Sequence, residues 1–522
     1  MGTYINPGND GFARILQGEY VDKTGIIGLT NKVIGSAESF VCITRPRRFG
    51  KSFAAHALVA YYSYGCNSLE LFRGLDVARD PSFTQHLNAY NLIRLDMTEF
   101  TGDFGADVVS HVQERLQADL AKEFPQVPRG DWLTASLLEV VRATGRRFVF
   151  VIDEWDAPFR DAHANEAAQE RFVKFLRTLF KNASFTPEAI ALAYMTGILP
   201  IKRYGTQSAL TDFREYTMLD SASYAPYVGF LEADVQELSV KHAMDMSELR
   251  RWYDGYELPK VGPAYAPYSV MEACERGQCK AYWTSSEAFE MLRMHIDLDL
   301  DGLQGSIVQL LGGASVPVDV EMFNNDMREV HSRDDALTLL VHLGYLVYDG
   351  PTKTVHIPNE EVRAELRRAT SQSRHAEVAR IVRESEQLLV ATWDLDADEV
   401  CSALQRAHDT ACTPVFYNNE QALRAVIKSA YIAAADHYAT IQELPSGRGI
   451  ADVVYLPKRG DPSPALVVEL KWNRTPQAAL AQIKDRDYPA VLREWGGPIL
   501  MVGVTYDPKS KEHHCSIEET LG

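Results

Sequence analysis

GIADVVYLPKRGDPSPALVVELKW, residues 449–472, reads as two strands joined by a loop rich in Gly and Pro. Ile450–Leu456 and Ala465–Trp472 are apolar and rich in β-branched residues, the composition of buried strands. Into them the chain sets three charged groups, Asp452, Glu469 and Lys471. Side chains alternate along a strand, so Glu469 and Lys471 share a face. If the two strands pair as neighbours, Asp452 reaches that face too. A carboxylate in a strand interior is expected to be paired or to hold a cation. Two carboxylates converging on one point make an oxygen site for Mg²⁺, which takes few protein ligands and keeps waters for a substrate. A lysine beside them orients or deprotonates an attacking water and screens charge on a phosphate. Taken alone, E-x-K also fits a plain salt bridge, Lys471 with Glu469 or Asp452, a pattern common on solvated strands.

The flanking sequence extends the pattern. Val415–His437 reads as a helix, Tyr438–Leu444 as a strand, Thr475–Trp495 as a helix and Ile499–Tyr506 as a further strand. The order α-β-β-β-α-β, the spacing D-x16-E-x-K, and Gln482 with Tyr488 as Q-x5-Y together resemble the PD-(D/E)xK nuclease superfamily. The resemblance implies that Asp452 and Glu469 bind metal, that Lys471 acts on the water and that Gln482 supports the site. Glu420, on the first helix, is a candidate for an additional carboxylate.

A second signal stands near the other end. Phe40–Thr44 is a short apolar strand, and RPRRFGKSFAAHAL, residues 45–58, follows it directly. Gly50-Lys51-Ser52 opening an apolar helix after a strand is the context of a phosphate-binding loop. Backbone N–H groups at such a helix start favour anions, Lys51 reaches the β and γ phosphates, and the Ser52 hydroxyl ligates Mg²⁺. The first glycine of G-x-x-x-x-G-K-[ST] is replaced by Arg45. RFVFVIDEWD, residues 147–156, is a buried strand ending in acids. It places Asp153 to hold Mg²⁺ and Glu154 to polarise water as general base, in the crevice where parallel α/β sheets bind ligands. Thr196, ending ALAYMTG, is placed to sense a γ-phosphate.

Leu92–Met97, Ile190–Met195 and Tyr216–Leu219 read as further strands, with helices such as Asp107–Phe124 and Glu166–Asn182 between them. That alternation implies a parallel sheet. YVDKTG, RPRRFGKS, FVFVIDEWD and MTGILPIK resemble the AAA-ATPase-like domain found fused to PD-(D/E)xK domains in bacterial proteins. In that family the loop is ordinarily written RPRRFGKS, so Arg45 is a family habit. The resemblance implies ATP held by Arg48, Phe49, Gly50, Lys51, Ser52, Asp153 and Thr196. Arg203 and Arg214 are candidates for an arginine finger.

Between the two regions the chain is helical and acidic. Arg251–Tyr256 clusters aromatics around a turn, for which domain packing is preferred over base stacking. Asp334–Leu343 reads as a helix, followed by a hairpin around Asp349-Gly350-Pro351. Helix and hairpin suggest a winged-helix-like unit that either binds DNA or bridges the outer domains, the acidic surroundings favouring bridging. Ser371–Leu389 reads as a charged linking helix.

Bulk properties bound the rest. At 522 residues the chain should hold two or three domains, and 46% hydrophobic with 24% charged residues is an ordinary globular composition. The longest apolar run, Ala189–Ile201, is too short to span a bilayer, and no signal peptide is apparent. Seven scattered cysteines fit reduced thiols in a cytoplasmic protein. A net charge of −18 argues against a generic nucleic-acid coat. From Val415 onward, however, Lys and Arg nearly balance Asp and Glu, which allows a basic track of Arg448, Lys458, Arg459, Arg474, Lys484 and Arg486. His513-His514 lacks ligands at metal-binding spacing.

The expectation is an α/β protein in three parts. Residues 1–224 form a P-loop, AAA-like domain with a parallel sheet, 225–413 a helical, winged-helix-like connection, and 414–522 a PD-(D/E)xK-like α/β domain. ATP at the first site would gate Mg²⁺-dependent cleavage of nucleic acid, DNA ahead of RNA, in genome defence or DNA processing. The alternative is a nucleotide-switched module that binds nucleic acid or protein through an inactive nuclease fold. No membrane partner is expected, and a homo-oligomer is open.

Overall fold

The structure, a computed structural model, describes residues 2–104, 107–160, 166–201, 203–204, 207–208, 210–258, 261–283, 300–321, 323, 330–371, 376–411, 426–427, 430–446, 449–458, 461–485, 492 and 496–521. Two compact units divide the chain: residues 1–284 with 318–361, and residues 285–317 with 362–522.

The first unit is built on a five-stranded sheet. Its strands are β1 (Phe40–Thr44), β2 (Asn91–Asp96), β3 (Phe148–Asp153), β4 (Ile190–Gly197) and β5 (Arg214–Tyr216), in the spatial order β2-β3-β4-β1-β5. Every pairing is parallel. A parallel sheet is covered on both faces, so its strands are apolar throughout rather than alternating. FVFVID and IALAYMTG meet that demand and are buried at every position. Helix α1 (Lys51–Tyr62) follows β1 and packs against β3 and β4. Helices α2 (Val108–Glu123), α3 (Leu133–Thr144) and α4 (Glu166–Phe180) contribute Val112, Leu137 and Phe172 to a core that includes Cys42, Phe150, Ile152 and Met195 of the sheet. The strand expected at Tyr216–Leu219 is found slightly earlier, as β5.

The remainder of this unit is smaller elements. Helix α5 (Glu232–Lys241) and α6 (Met246–Tyr253) lead into the hairpin β6 (Tyr256–Leu258) and β7 (Gly262–Tyr265), then α7 (Pro267–Arg276). Helix α8 (Arg333–Leu343) begins with a reciprocal cap between Ser332 and Asp335 and ends at left-handed Gly344. The antiparallel pair β8 (Val347–Asp349) and β9 (Thr354–His356) follows, so the expected helix and hairpin are both present.

The second unit carries a mixed sheet of β10 (Tyr438–Ser446), β11 (Gly449–Pro457), β12 (Ala465–Trp472), β13 (Pro498–Asp507) and β14 (Glu512–Leu521), in chain order across the sheet. All neighbours are antiparallel except β12 and β13, which are parallel. A parallel step needs a crossover, and helix α11 (Pro476–Asp485) lies in it. Leu480 and Ile483 of α11 bury against Val454, Val467 and Met501 on one face. Helices α9 (Ala376–Trp393) and α10 (Ala397–Ala411) cover the other, on Val453, Val468 and Val502. Gly503 is needed for this packing, since a Cβ there would stand 2.7 Å from the Pro476 carbonyl oxygen. β14 is a strand that the sequence patterning missed. Residues 412–425, including Glu420, lie outside the described residues, as do Tyr488 and most of the helix expected after Asp485.

Candidate active sites

The carboxyl end of the parallel sheet gathers the first group. The turn from β1 into α1 needs two left-handed residues, Arg48 (φ 68°) and Gly50 (φ 87°), a conformation glycine adopts without cost. Lys51 is buried and folds back under its own loop, donating to the carbonyl oxygens of Arg45 (3.1 Å) and Pro46 (3.0 Å), with the Glu154 carboxylate 3.6 Å away. Arg45 does not fill the loop where a glycine would ordinarily leave room. Its guanidinium turns inward, fully buried, and donates to the carbonyls of Thr44 (2.8 Å) and Tyr216 (3.3 Å). Burial pulls its pKa down to about 10.

Asp153 ends β3 almost fully buried, accepts a hydrogen bond from the Thr196 hydroxyl, and accepts the backbone N–H of Glu154 at 3.1 Å, with the Ser52 hydroxyl near enough to lower its pKa. Burial raises its pKa above the usual carboxylate range, partly opposed by the two hydroxyls. Thr196 and Asp153 are thus in direct contact, with Ser52 nearby at the start of α1. Two oxygen donors and a hydroxyl at the start of a helix fit the donor set Mg²⁺ takes beside a nucleotide phosphate.

Glu154 occupies a left-handed conformation, φ 49°, a strained state for a residue with a side chain. Its carboxylate meets Lys51 on one side and the Arg160 guanidinium on the other. Burial works to raise its pKa, but Lys51, Arg160 and Arg47 outweigh burial and hold it below the ordinary value. Arg160 also reaches Asp156 at 3.1 Å, and Asp156 in turn accepts the backbone N–H groups of Ile198 (3.2 Å) and Leu199 (2.9 Å). Asp156 and Arg160 escaped the sequence reading, although their spacing of four on a helical turn was a usable signal. Gly197 is also required, since a Cβ there would stand 2.5 Å from Asp156 Oδ1.

The depressed Glu154 carboxyl stabilises the folded chain above its unfolded pKa of about 4.3, and this contribution is lost as pH falls through the lower folded value. Arg160→Ala should therefore lower the urea midpoint at pH 7, with the deficit shrinking below about pH 4. An equal deficit at both pH values would refute this account.

Of the two arginine-finger candidates, only the side chain of Arg214 is described. Arg214 pairs with Glu38 at 2.5 Å and sits opposite Val41, toward the amino end of β1 and away from the phosphate loop. The side chain of Arg203 lies outside the described residues.

The second group is in the second unit. Glu469 on β12 is 1% exposed. Its Oε1 accepts from the Gln482 amide on α11 and from Lys471 Nζ at 3.3 Å. Three of the predicted residues therefore meet at one carboxylate oxygen. β11 and β12 pair antiparallel with Val453 opposite Val468 and Val454 opposite Val467, so positions 452 and 469 each lie one residue beyond the last recorded pair. The side chain of Asp452 lies outside the described residues, as do Arg448, Arg459 and Arg486 of the basic track. Lys484 of that track pairs with Glu518 at 2.5 Å. Among the described residues no three His, Cys, Asp or Glu side chains cluster as a metal site.

The aromatic turn has a structural use. Tyr253 donates to the Lys280 carbonyl and Tyr256 to that of Gly344, both at 2.9 Å, while Asn359 donates to the Asp254 carbonyl at 2.7 Å. Gly255, at φ 101°, lies against the Pro358 carbonyl, where a Cβ would come within 2.1 Å. His513 is buried on Tyr506 and His408, and burial depresses its pKa to about 3. No helix among the described residues is long and apolar enough to cross a membrane.

Comparison with known proteins adds three findings. Residues 8–206 match the family model described as Predicted AAA-ATPase. Over nearly its whole length the chain is 24% identical to an uncharacterised protein in the vnfD 5′ region of Azotobacter chroococcum mcd 1, covering 98% of each. Among solved structures, Cdc6p from Pyrobaculum aerophilum overlaps 63% of this chain and 86% of its own at 12% identity and a TM-score of 0.24. The Aeropyrum pernix ORC2 protein overlaps 67% and 96% at 8% identity and a TM-score of 0.32. The overlap with both structures is loose.

Proposed function

We propose that this chain binds ATP in its N-terminal α/β region and uses the state of that site to gate a Mg²⁺-dependent nuclease in its C-terminal α/β region. On this reading residues 1–224 are the nucleotide domain, 225–413 the connection and 414–522 the cutting domain. The ATP half is supported by the family match over residues 8–206 and by the meeting of Lys51, Ser52, Asp153, Glu154 and Thr196 at one end of the sheet. Lys51 would exchange its carbonyl and Glu154 partners for phosphate oxygens. Glu154, released from Lys51, would then be available to a water.

The cutting half rests on one observation above the others. Gln482 and Lys471 converge on a nearly fully buried Glu469, and positions 452 and 469 each lie one residue beyond the Val453–Val468 pair. A surface salt bridge would need neither the buried carboxylate nor the amide from a separate helix. Asp452 and Glu469 would hold Mg²⁺, which supplies an activated water and stabilises charge on the departing oxygen. Gln482 fixes the carboxylate rotamer, and Lys471 sits within reach of a water or a phosphate oxygen on the same face.

The test is incubation of the purified full chain with single- and double-stranded DNA and RNA, with Mg²⁺ or Mn²⁺, with and without ATP. Cleavage of at least one substrate is expected, responsive to ATP and lost with EDTA and in Asp452→Ala. Retained nucleic-acid binding with no cleavage under any condition would instead indicate a nucleotide-switched binder with an inactive nuclease fold.

A further inference from the structure

The loop between β1 and α1 is held from outside the sheet. Pro46, whose carbonyl receives Lys51 Nζ at 3.0 Å, lies over Gly344. A Cβ on Gly344 would come within 2.6 Å of the Pro46 ring and 2.8 Å of Trp283. Phe49, 1% exposed, meets the Tyr256 ring edge-on at 5.1 Å and abuts Gly229. Arg48 stacks its guanidinium 4.0 Å from the centre of the Tyr268 ring. Tyr256 closes the circuit, because its hydroxyl donates to the Gly344 carbonyl while its ring bears on Phe49. One residue thus ties together the supports of both ends of the loop.

We propose that Gly229, Tyr256, Tyr268 and Gly344 set the shape of the phosphate loop, so that Pro46, Arg48 and Phe49 act as positioning residues through which these supports control nucleotide affinity. The proposal rests on the nucleotide-site reading above and goes further, naming the regulator of that site. Lys51 is held by two loop carbonyls, so a shift of Pro46 by a fraction of an ångström changes where its ammonium points. Arg48 and Gly50 already occupy left-handed conformations, and such a loop keeps its shape only where its surroundings over-determine it. Coupling of this kind is reciprocal: a ligand that settles the loop must also settle Tyr256 and Gly344.

The experiment compares binding of a fluorescent ATP analogue with Mg²⁺ to the full chain, wild type and variants, alongside thermal melting without nucleotide. Tyr256→Leu removes the ring edge and the hydroxyl and should weaken binding about tenfold, the scale of a 1–3 kcal/mol coupling. Tyr256→Phe keeps the ring on Phe49 and should recover most of the affinity. Tyr268→Ala, at a partly exposed position, should weaken binding severalfold with little change in melting. In wild type, adding nucleotide should slow amide hydrogen exchange around residues 256–258 and 344–346. Wild-type affinity in both Tyr256→Leu and Tyr268→Ala, with binding lost in Lys51→Ala, would overturn the proposal and leave the nucleotide site standing. Wild type that binds no nucleotide at all would overturn the nucleotide reading and this proposal with it. Should Tyr256→Leu fail to melt cooperatively, Tyr268→Ala and the exchange measurement decide alone.

Discussion

Glu469→Gln should leave a folded chain that no longer cuts, with cleavage reduced by about 10²–10³-fold or more, the scale on which losing one preorganised electrostatic group acts. The carboxylate is 1% exposed and accepts from both Gln482 and Lys471. A glutamine there still offers an oxygen to the Gln482 amide but no charge to a cation or to Lys471. Lys471 is 19% exposed at its side chain, so water takes over its solvation and the melting temperature should move little. Two companion variants grade the roles. Gln482→Ala should cost about 10–100-fold, as loss of a group that orients a metal ligand does. Lys471→Met should cost about 10²–10⁴-fold if the amine handles a proton. A measured wild-type rate in Glu469→Gln would reduce the cluster to a structural salt bridge and remove the cutting mechanism.

How much of this was legible in the residues depended on how local the cause was. Ala465–Trp472 was readable to the residue because an apolar, β-branched run between turn-forming segments has one solution. The meeting of Gln482 with Glu469 was reachable only through family resemblance, since thirteen residues and a change of element separate them and nothing in the spacing fixes the angle of α11 on the sheet. β14 was missed because EHHCSIEETL carries charge and polarity along an edge strand, where only one side is paired and the apolar signal is weak. The phosphate loop was recognised by GKS, but its supports were not. Gly229, Tyr256, Tyr268 and Gly344 lie far along the chain, and their relation to Pro46, Arg48 and Phe49 exists only in the folded molecule. The aromatic turn at 251–256 shows the same limit: packing was the expected use, while the surface it packs on was invisible.

Asp153→Asn should make the nucleotide-free protein more stable and the nucleotide-bound state unattainable. Burial raises the Asp153 pKa above the ordinary value of about 3.9, so the folded chain binds that proton more readily than the unfolded chain does. A raised carboxyl pKa is a cost at neutral pH, since stability falls as pH climbs through the interval between the unfolded and folded values. Asparagine has no charge to desolvate, and its carbonyl oxygen still accepts the Thr196 hydroxyl and the Glu154 backbone N–H that Asp153 Oδ1 accepts. The melting temperature without nucleotide at pH 7 should therefore rise, and the gain should fade as pH drops below about 4, where aspartate protonates as well. Saturating Mg²⁺ and ATP at 100 times the dissociation constant should stabilise wild type by about 2.7 kcal/mol and the variant by almost nothing. That opposition is what a site kept at the expense of stability produces, and a purely structural aspartate would lose stability on the same substitution. A lower melting temperature without nucleotide, or a preserved nucleotide shift, would show that Asp153 serves the fold rather than the phosphate.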